Sequence, residues 1–164
     1  MALLHHSRIR ACFLAVVLLW LTPAWSFAQM TLELTVSGSE AQSTEFSLED
    51  LDALDQAEFT TSTIWTDGPV TFSGVPLKTL LATIQADGTA IEMVALNDYK
   101  VVMPLSDVES DVPIIATRMN GAPMSVRDKG PYWIVFPYDQ DARYQTETIY
   151  SYSIWQLNRL NVVD

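Results

Sequence analysis

The chain has 164 residues, 49% of them hydrophobic and 18% charged, with 20 acidic side chains against nine basic ones and a formal net charge of −11. That size and balance bound it to one globular domain and argue against nucleic acid, whose phosphates have to be met by Lys and Arg. Anionic membrane surfaces are disfavoured for the same electrostatic reason.

In chain order, the first element stands outside the fold. The opening stretch carries Arg8 and Arg10 and no acid, Ala11 to Leu21 is apolar throughout, and Ser26-Phe27-Ala28 closes it in a small-x-small pattern. This reads as a secretory signal peptide of residues 1–28, leaving a domain of residues 29–164. The apolar run is too short for a hydrocarbon core that needs about 20 residues, so the processed chain is expected to be periplasmic or secreted and not membrane-embedded. The one cysteine, Cys12, and both histidines, His5 and His6, fall inside that leader. The processed domain would then have no Ser-His-Asp or Cys-His pair, no zinc site, no haem with an axial His and no iron–sulfur cluster. Carboxylates, Lys and Tyr remain for proton transfer. The acidic groups at Asp107, Glu109 and Asp111, and at Asp139 and Asp141, lack the spacing of a calcium loop and read as solvated surface.

Leu32, Leu34 and Val36 alternate with polar neighbours, which predicts a half-buried strand. Ser47 and Asp50 ahead of Leu51 and Leu54 predict a helix start. The run Thr60 to Thr63 is either strand sequence or the lining of a cavity. Gly74 and Pro76 lead into Leu77, Leu80, Leu81 and Ile84, the stripe of an amphipathic helix with Pro in its first turn. Ala90–Leu96 and Tyr99–Leu105 flank a two-residue break at Asn97 and Asp98, which predicts a hairpin; the triplet Asn97-Asp98-Tyr99 is a turn or a set of polar groups at a pocket mouth. Ile114–Met119 runs into the turn signal Asn120-Gly121, and Tyr132–Phe136 is an apolar run stopped by Pro137. The tail, Ile149–Val163, ends as a strand. Strands and short helices follow one another without a regular repeat, which predicts an α+β fold, a single compact domain of mixed strands and short helices.

Three segments, Gly74-Val75-Pro76-Leu77 through Leu81, Met119-Asn120-Gly121-Ala122-Pro123-Met124, and Gly130-Pro131 through Trp133 to Pro137, have a telling order and spacing. Together they resemble the molybdopterin-binding domain of the sulfite oxidase family. The tail from Ile154-Trp155-Gln156-Leu157 to Val162 is similar to that domain's closing strand. The resemblance spans about Phe46 to Val162 and is nearest to the small, exported, single-domain branch. It implies an α+β domain with a molybdopterin cofactor in a pocket and a cysteine thiolate on the molybdenum.

Carried over residue by residue, three anchors differ. The family's cysteine falls at Thr61, four residues before Trp65. The arginine of its HGxPxR stretch falls at Trp133, with Lys129 standing in for the histidine, and the lysine before the tail tryptophan falls at Ile154. A hydroxyl does not replace a soft thiolate, and loss of a bidentate donor and a point charge weakens the grip on a phosphorylated pterin. The residues assigned to cofactor contact are therefore Thr61, Arg127, Lys129 and Trp133; none is assigned a catalytic role and none a metal. Trp133 and Tyr132 either wall a pocket or are core. Arg118, Arg127 and Lys129 either pair with acids or, for the last two, form an anion site beside Gly130-Pro131. Two functions follow. One is an exported molybdopterin-dependent oxidoreductase-like protein whose pterin binding or redox activity is altered or lost with the cysteine. The other is a non-catalytic module on the same fold that holds a small ligand or a periplasmic protein partner. A carboxylate-based hydrolase lacks a persuasive pair of acids.

Overall fold

The computed structural model describes residues 31–36 and 42–164; the stretch expected to be a leader, with Cys12, His5 and His6, lies outside the described residues. The elements are β1 (Leu32–Val36), β2 (Gln42–Phe46), α1 (Leu48–Asp52), β3 (Ala57–Ser62), β4 (Pro69–Pro76), α2 (Leu77–Thr83), β5 (Ala90–Ala95), β6 (Lys100–Pro104), β7 (Ile114–Met119), β8 (Ala122–Pro123), β9 (Tyr132–Val135), α3 (Glu147–Tyr152) and β10 (Trp155–Val163). Short 3₁₀ turns lie at Leu105–Asp107, Val126–Asp128 and Ala142–Tyr144. This is the α+β class expected.

The tail strand organises the sheet. One edge of β10 carries β5 antiparallel along most of its length, from Leu157 opposite Ala95 to Val163 opposite Ala90. Its other edge pairs first with β9, Trp155 opposite Trp133, and then with β1 in parallel, Glu33 opposite Arg159. The sheet order is β2-β1-β10-β9-β7-β4-β3, with β6 beyond β5 and β8 beside β7. Leu157, Leu160 and Val162 are all buried although the first two are three residues apart. A register shift between Leu157 and Arg159 supplies the extra residue that brings them back to one face. Residues Ile114–Thr117 and Tyr132–Val135 are buried without alternation, because β7 and β9 are interior strands covered on both faces.

Local chemistry sets the element ends. Ser47 caps α1 reciprocally: Asp50 N donates to Ser47 Oγ at 3.1 Å, and Ser47 N donates to Asp50 Oδ2 at 2.9 Å. Pro76 stands one residue earlier than its sequence position suggested. It is the N-cap of α2 and still pairs with Ile114 in the sheet, while Leu77 N donates to Pro113 O at 2.9 Å. The β5–β6 turn is also longer than the two residues expected. Ala95 N donates to Tyr99 O and Asp98 N to Ala95 O, so Leu96, Asn97 and Asp98 form the loop, with Asp98 at φ 62°. That is the three-residue hairpin built from a type I turn and a left-handed residue. Asn120 and Gly121, at φ 51° and 78°, make the short turn their sequence announced.

At Gly74 the β4 backbone lies so close to β7 that an added Cβ would sit 2.0 Å from the Ile115 carbonyl oxygen. Backbone cannot yield as a side chain does, so Gly74→Ala is expected to cost about 2–3 kcal/mol in chemical denaturation, with an unchanged denaturant slope.

Candidate functional site

Thr61 is the penultimate residue of β3, where it is fully buried opposite Val70 of β4. Its Oγ1 accepts the Asp139 backbone N–H at 3.0 Å, and Ser62 N donates to Asp139 Oδ2 at 2.6 Å. The two bonds clamp the end of β3 to the loop that follows β9. The rest of the hydroxyl run is engaged locally. Thr60 bonds across the ladder to Thr71 at 2.8 Å, and Thr63 bonds Thr66 and accepts from Trp65 N. Strand and turn chemistry accounts for the run Thr60 to Thr63.

Beyond this run lies an aromatic cluster. Trp65 meets Trp133, Trp155, Tyr150 and Tyr138 edge-on, at centroid distances of 5.9, 5.6, 5.8 and 6.4 Å. Edge-to-face contact sets the positive rim of one ring against the negative face of the next. The β9–β10 register puts Trp133 directly opposite Trp155. Trp133 is wholly buried on Phe72, and its indole N–H donates to Ser153 O at 3.1 Å. Tyr138 donates its hydroxyl to Ser153 Oγ at 2.6 Å. Burial pushes the Tyr138 and Tyr132 hydroxyls up to about 12, so both stay protonated across the physiological range. Trp133 and Tyr132 are thus core, the second of the two roles their sequence allowed.

A cleft of about 340 Å³ opens above this cluster. Its walls include Trp65, Tyr99, Tyr150 and Trp155, with Asn97 and Gln156 as polar groups. No charged side chain lines it among the described residues. Asn97 and Tyr99 do stand at the pocket, while Asp98 pairs with Arg159 at 3.0 Å. Lys129, at φ 72°, holds Nζ 5.7 Å from the Trp133 ring and 5.9 Å from the Trp155 ring, and its carbonyl accepts Gln156 N. Its neighbour Gly130 is fixed as glycine by Met124 O, which would lie 2.0 Å from an added Cβ.

Of the four residues assigned to cofactor contact, Trp133 and Lys129 therefore come together behind the cleft. Thr61 sits apart on Asp139, and Arg127 is exposed on the 3₁₀ turn Val126–Asp128. Arg127 and Lys129 form no ion pair with a described residue, whereas Lys100, Arg118, Arg143 and Arg159 each pair with an acid. Tyr150, one of the cleft's walls, carries no sequence signal of its own, since an aromatic residue in a tail is ordinary, and Gln156 is marked only as part of the tail motif.

An α+β domain with an aromatic cleft framed by the β9–β10 pair and the loop after β3 is the class of protein that fold and site define. The chain belongs to the oxidoreductase molybdopterin binding domain family, whose model matches residues 22–141. In fold it is similar to the sulfane dehydrogenase SoxCD from Paracoccus pantotrophus, with a TM-score of 0.61 and 19% identity. The match covers 82% of this chain and 38% of that one, so this chain spans well under half the length of that relative. No curated protein matches the sequence. Membership suggests a molybdopterin cofactor.

Two outcomes are expected of this geometry. Thr61→Val removes the acceptor of the Asp139 N–H and should cost about 1–2 kcal/mol in urea denaturation. Arg118 meets Asp52 through two parallel bonds of 2.5 and 2.6 Å, and those bonds hold the Asp52 carboxyl below the usual carboxylate range against the opposing effect of partial burial. A carboxylate depressed in the folded state stabilises fully above its unfolded pKa and loses that contribution as pH falls through the folded one. The pair is about one-third exposed, so water screens it. Asp52→Asn should cost about 1 kcal/mol at pH 7, and the gap should close as pH drops below the carboxylate range.

Proposed function

We propose that this chain is an exported, periplasmic or secreted family member in which thiolate-ligated molybdenum chemistry has been lost and the aromatic cleft holds a small ligand. The observation that carries this reading is Thr61. The residue in the cysteine's place is buried, and its hydroxyl already serves the Asp139 N–H. A threonine hydroxyl stays protonated near neutrality, and the soft ligand that molybdenum takes from a protein is missing. Among the described residues no group of three or more His, Cys, Asp or Glu side chains is arranged to hold a metal ion. The donor set does not fit the metal half of the cofactor.

The anionic half fares little better. Trp133, in place of the arginine, spends its one donor on Ser153 O, and Ile154, in place of the lysine, lines the cleft without charge. Among the described residues no carboxylate or ammonium group lines the cleft, and Tyr138 stays protonated, so it offers no base for proton transfer. Binding rather than turnover is what such walls support. Export rests on the leader of residues 1–28; no described helix is long and apolar enough to cross a membrane.

One observation favours a second reading. Arg127 and Lys129 have no acidic partner among the described residues and could meet a phosphate, so a pterin could be kept without a protein thiolate. Both readings meet in one experiment: molybdenum by mass spectrometry and pterin by fluorescence, on protein exported from a cell that makes the cofactor. The expected result is neither in stoichiometric amount, in the parent or in Thr61→Cys, because Trp133 and Ile154 remain. Stoichiometric pterin without molybdenum would establish the second reading. Stoichiometric molybdenum in the parent would overturn both.

A further inference from the structure

We infer that the cleft is built for an uncharged, planar nitrogen heterocycle of two or three fused rings, without phosphate, bound face-on to tryptophan and edge-on to Asn97 and Gln156. This rests on the reading that the site holds a small ligand and no metal cofactor.

The walls select shape first. Trp65, Tyr99, Tyr150 and Trp155 supply ring surface around about 340 Å³, a volume in the range of small-molecule sites. Exposed apolar area is concentrated at the mouth. Trp155 is 38% exposed and Tyr99 55%, and beside them stand Ile64, Leu96 and Val126. Ile64 precedes Trp65, Leu96 lies between the lining residues Ala95 and Asn97, and the Val126 carbonyl accepts the Gln156 side-chain amide at 2.9 Å. Of the six large hydrophobic side chains exposed among the described residues, Tyr99 and Trp155 line the opening, and Ile64, Leu96 and Val126 adjoin its lining residues in the chain or through a hydrogen bond. Rigid apolar surface around a concave site marks ligand contact.

Polar capacity at the rim selects an edge. Asn97 Oδ1 accepts Tyr99 N, which leaves its NH₂ to donate. Gln156 donates its NH₂ to Val126 O, which leaves its carbonyl to accept. The Tyr99 and Tyr150 hydroxyls hydrogen-bond to no described residue. A donor and an acceptor beside stacking rings match the lactam or amidine edge of a nitrogen heterocycle.

Charge is selected against in both signs. Lys129 Nζ already lies 5.7 and 5.9 Å from the Trp133 and Trp155 rings, where a ligand cation would meet a like charge. A phosphorylated ligand finds no cation lining the cleft among the described residues, Lys129 lying behind the Trp133 and Trp155 rings, and a chain of net charge −11 around it.

The test uses the purified, metal-analysed protein with riboflavin and its phosphorylated counterpart flavin mononucleotide, which share one ring system, with adenine, and with benzyltrimethylammonium. Calorimetry gives stoichiometry, and quenching of riboflavin emission reports stacking on tryptophan. The expected result is saturable one-to-one binding of riboflavin or adenine, with the phosphorylated and cationic probes at least about tenfold weaker. Trp155→Ala and, independently, Tyr99→Ala should each weaken binding about tenfold or more, while Val102→Ala on β6 should leave it unchanged. Because Tyr99 is mostly exposed, its variant stays informative if Trp155→Ala fails to fold. No saturable binding by either uncharged heterocycle, or preference for the charged probes, overturns the inference. Metal-free protein that ignores heterocycles sinks this inference alone, whereas stoichiometric molybdenum sinks the reading beneath it.

Discussion

The edge-on packing of Trp65 against Trp133 and Trp155 is the contact on which the site depends. Trp65 sits in the loop between β3 and β4, Trp133 on β9, Trp155 on β10, and Tyr150 on α3, so one ring ties its own loop to β9 and to the consecutive elements α3 and β10. The register that sets Trp133 opposite Trp155 aligns the two strands at the same point. Remove that alignment and the cleft loses a wall and its floor together. Aromatic pairs contribute about 0.5–1.5 kcal/mol each beyond the area they bury, and several converge here.

That cluster also explains why the site carries no charge. Trp133 is fully enclosed, and an ionised group at its position would have to be paired or lose its hydration at high cost. Its only polar atom is matched to Ser153 O, whose own hydroxyl is matched to Tyr138 and Ile149. The network is closed, and no buried side-chain nitrogen or oxygen among the described residues lacks a partner. A site of this kind is preorganised for stacking. Charge is handled at the periphery instead, where Arg118, Arg143, Arg159 and Lys100 take acidic partners on exposed or half-buried surface.

Much of the fold was legible because local rules and the tertiary answer agree. The Ser47-Asp50 cap, the Leu77–Leu81 stripe and the Asn120-Gly121 turn each carry their structure in neighbouring residues. Where the reading slipped, a distant strand decided: Pro76 is held outside α2 by its pairing with Ile114, and the hairpin loop lengthens because Ala95 bonds Tyr99. The site was less legible. Asn97 and Tyr99 were visible as polar groups at a mouth, but Trp133 and Tyr132 turned out to be beneath the cleft. Thr61 read as a hydroxyl in place of a thiolate; that its oxygen is committed to Asp139, 78 positions away, was not.

By itself the sequence determined the family, through short motifs in a fixed order, and the scarcity of thiol and imidazole, which is simple composition. It also determined most element types, since capping, periodicity and turn chemistry act over a few residues. Only the tertiary structure decided which aromatic rings face the cleft and which are core. The bulge between Leu157 and Arg159 changes which side chains of β10 share a face, and the pairing of β10 with β9 sets which rings meet. Both are fixed by contacts between segments far apart in the chain, which no local pattern encodes.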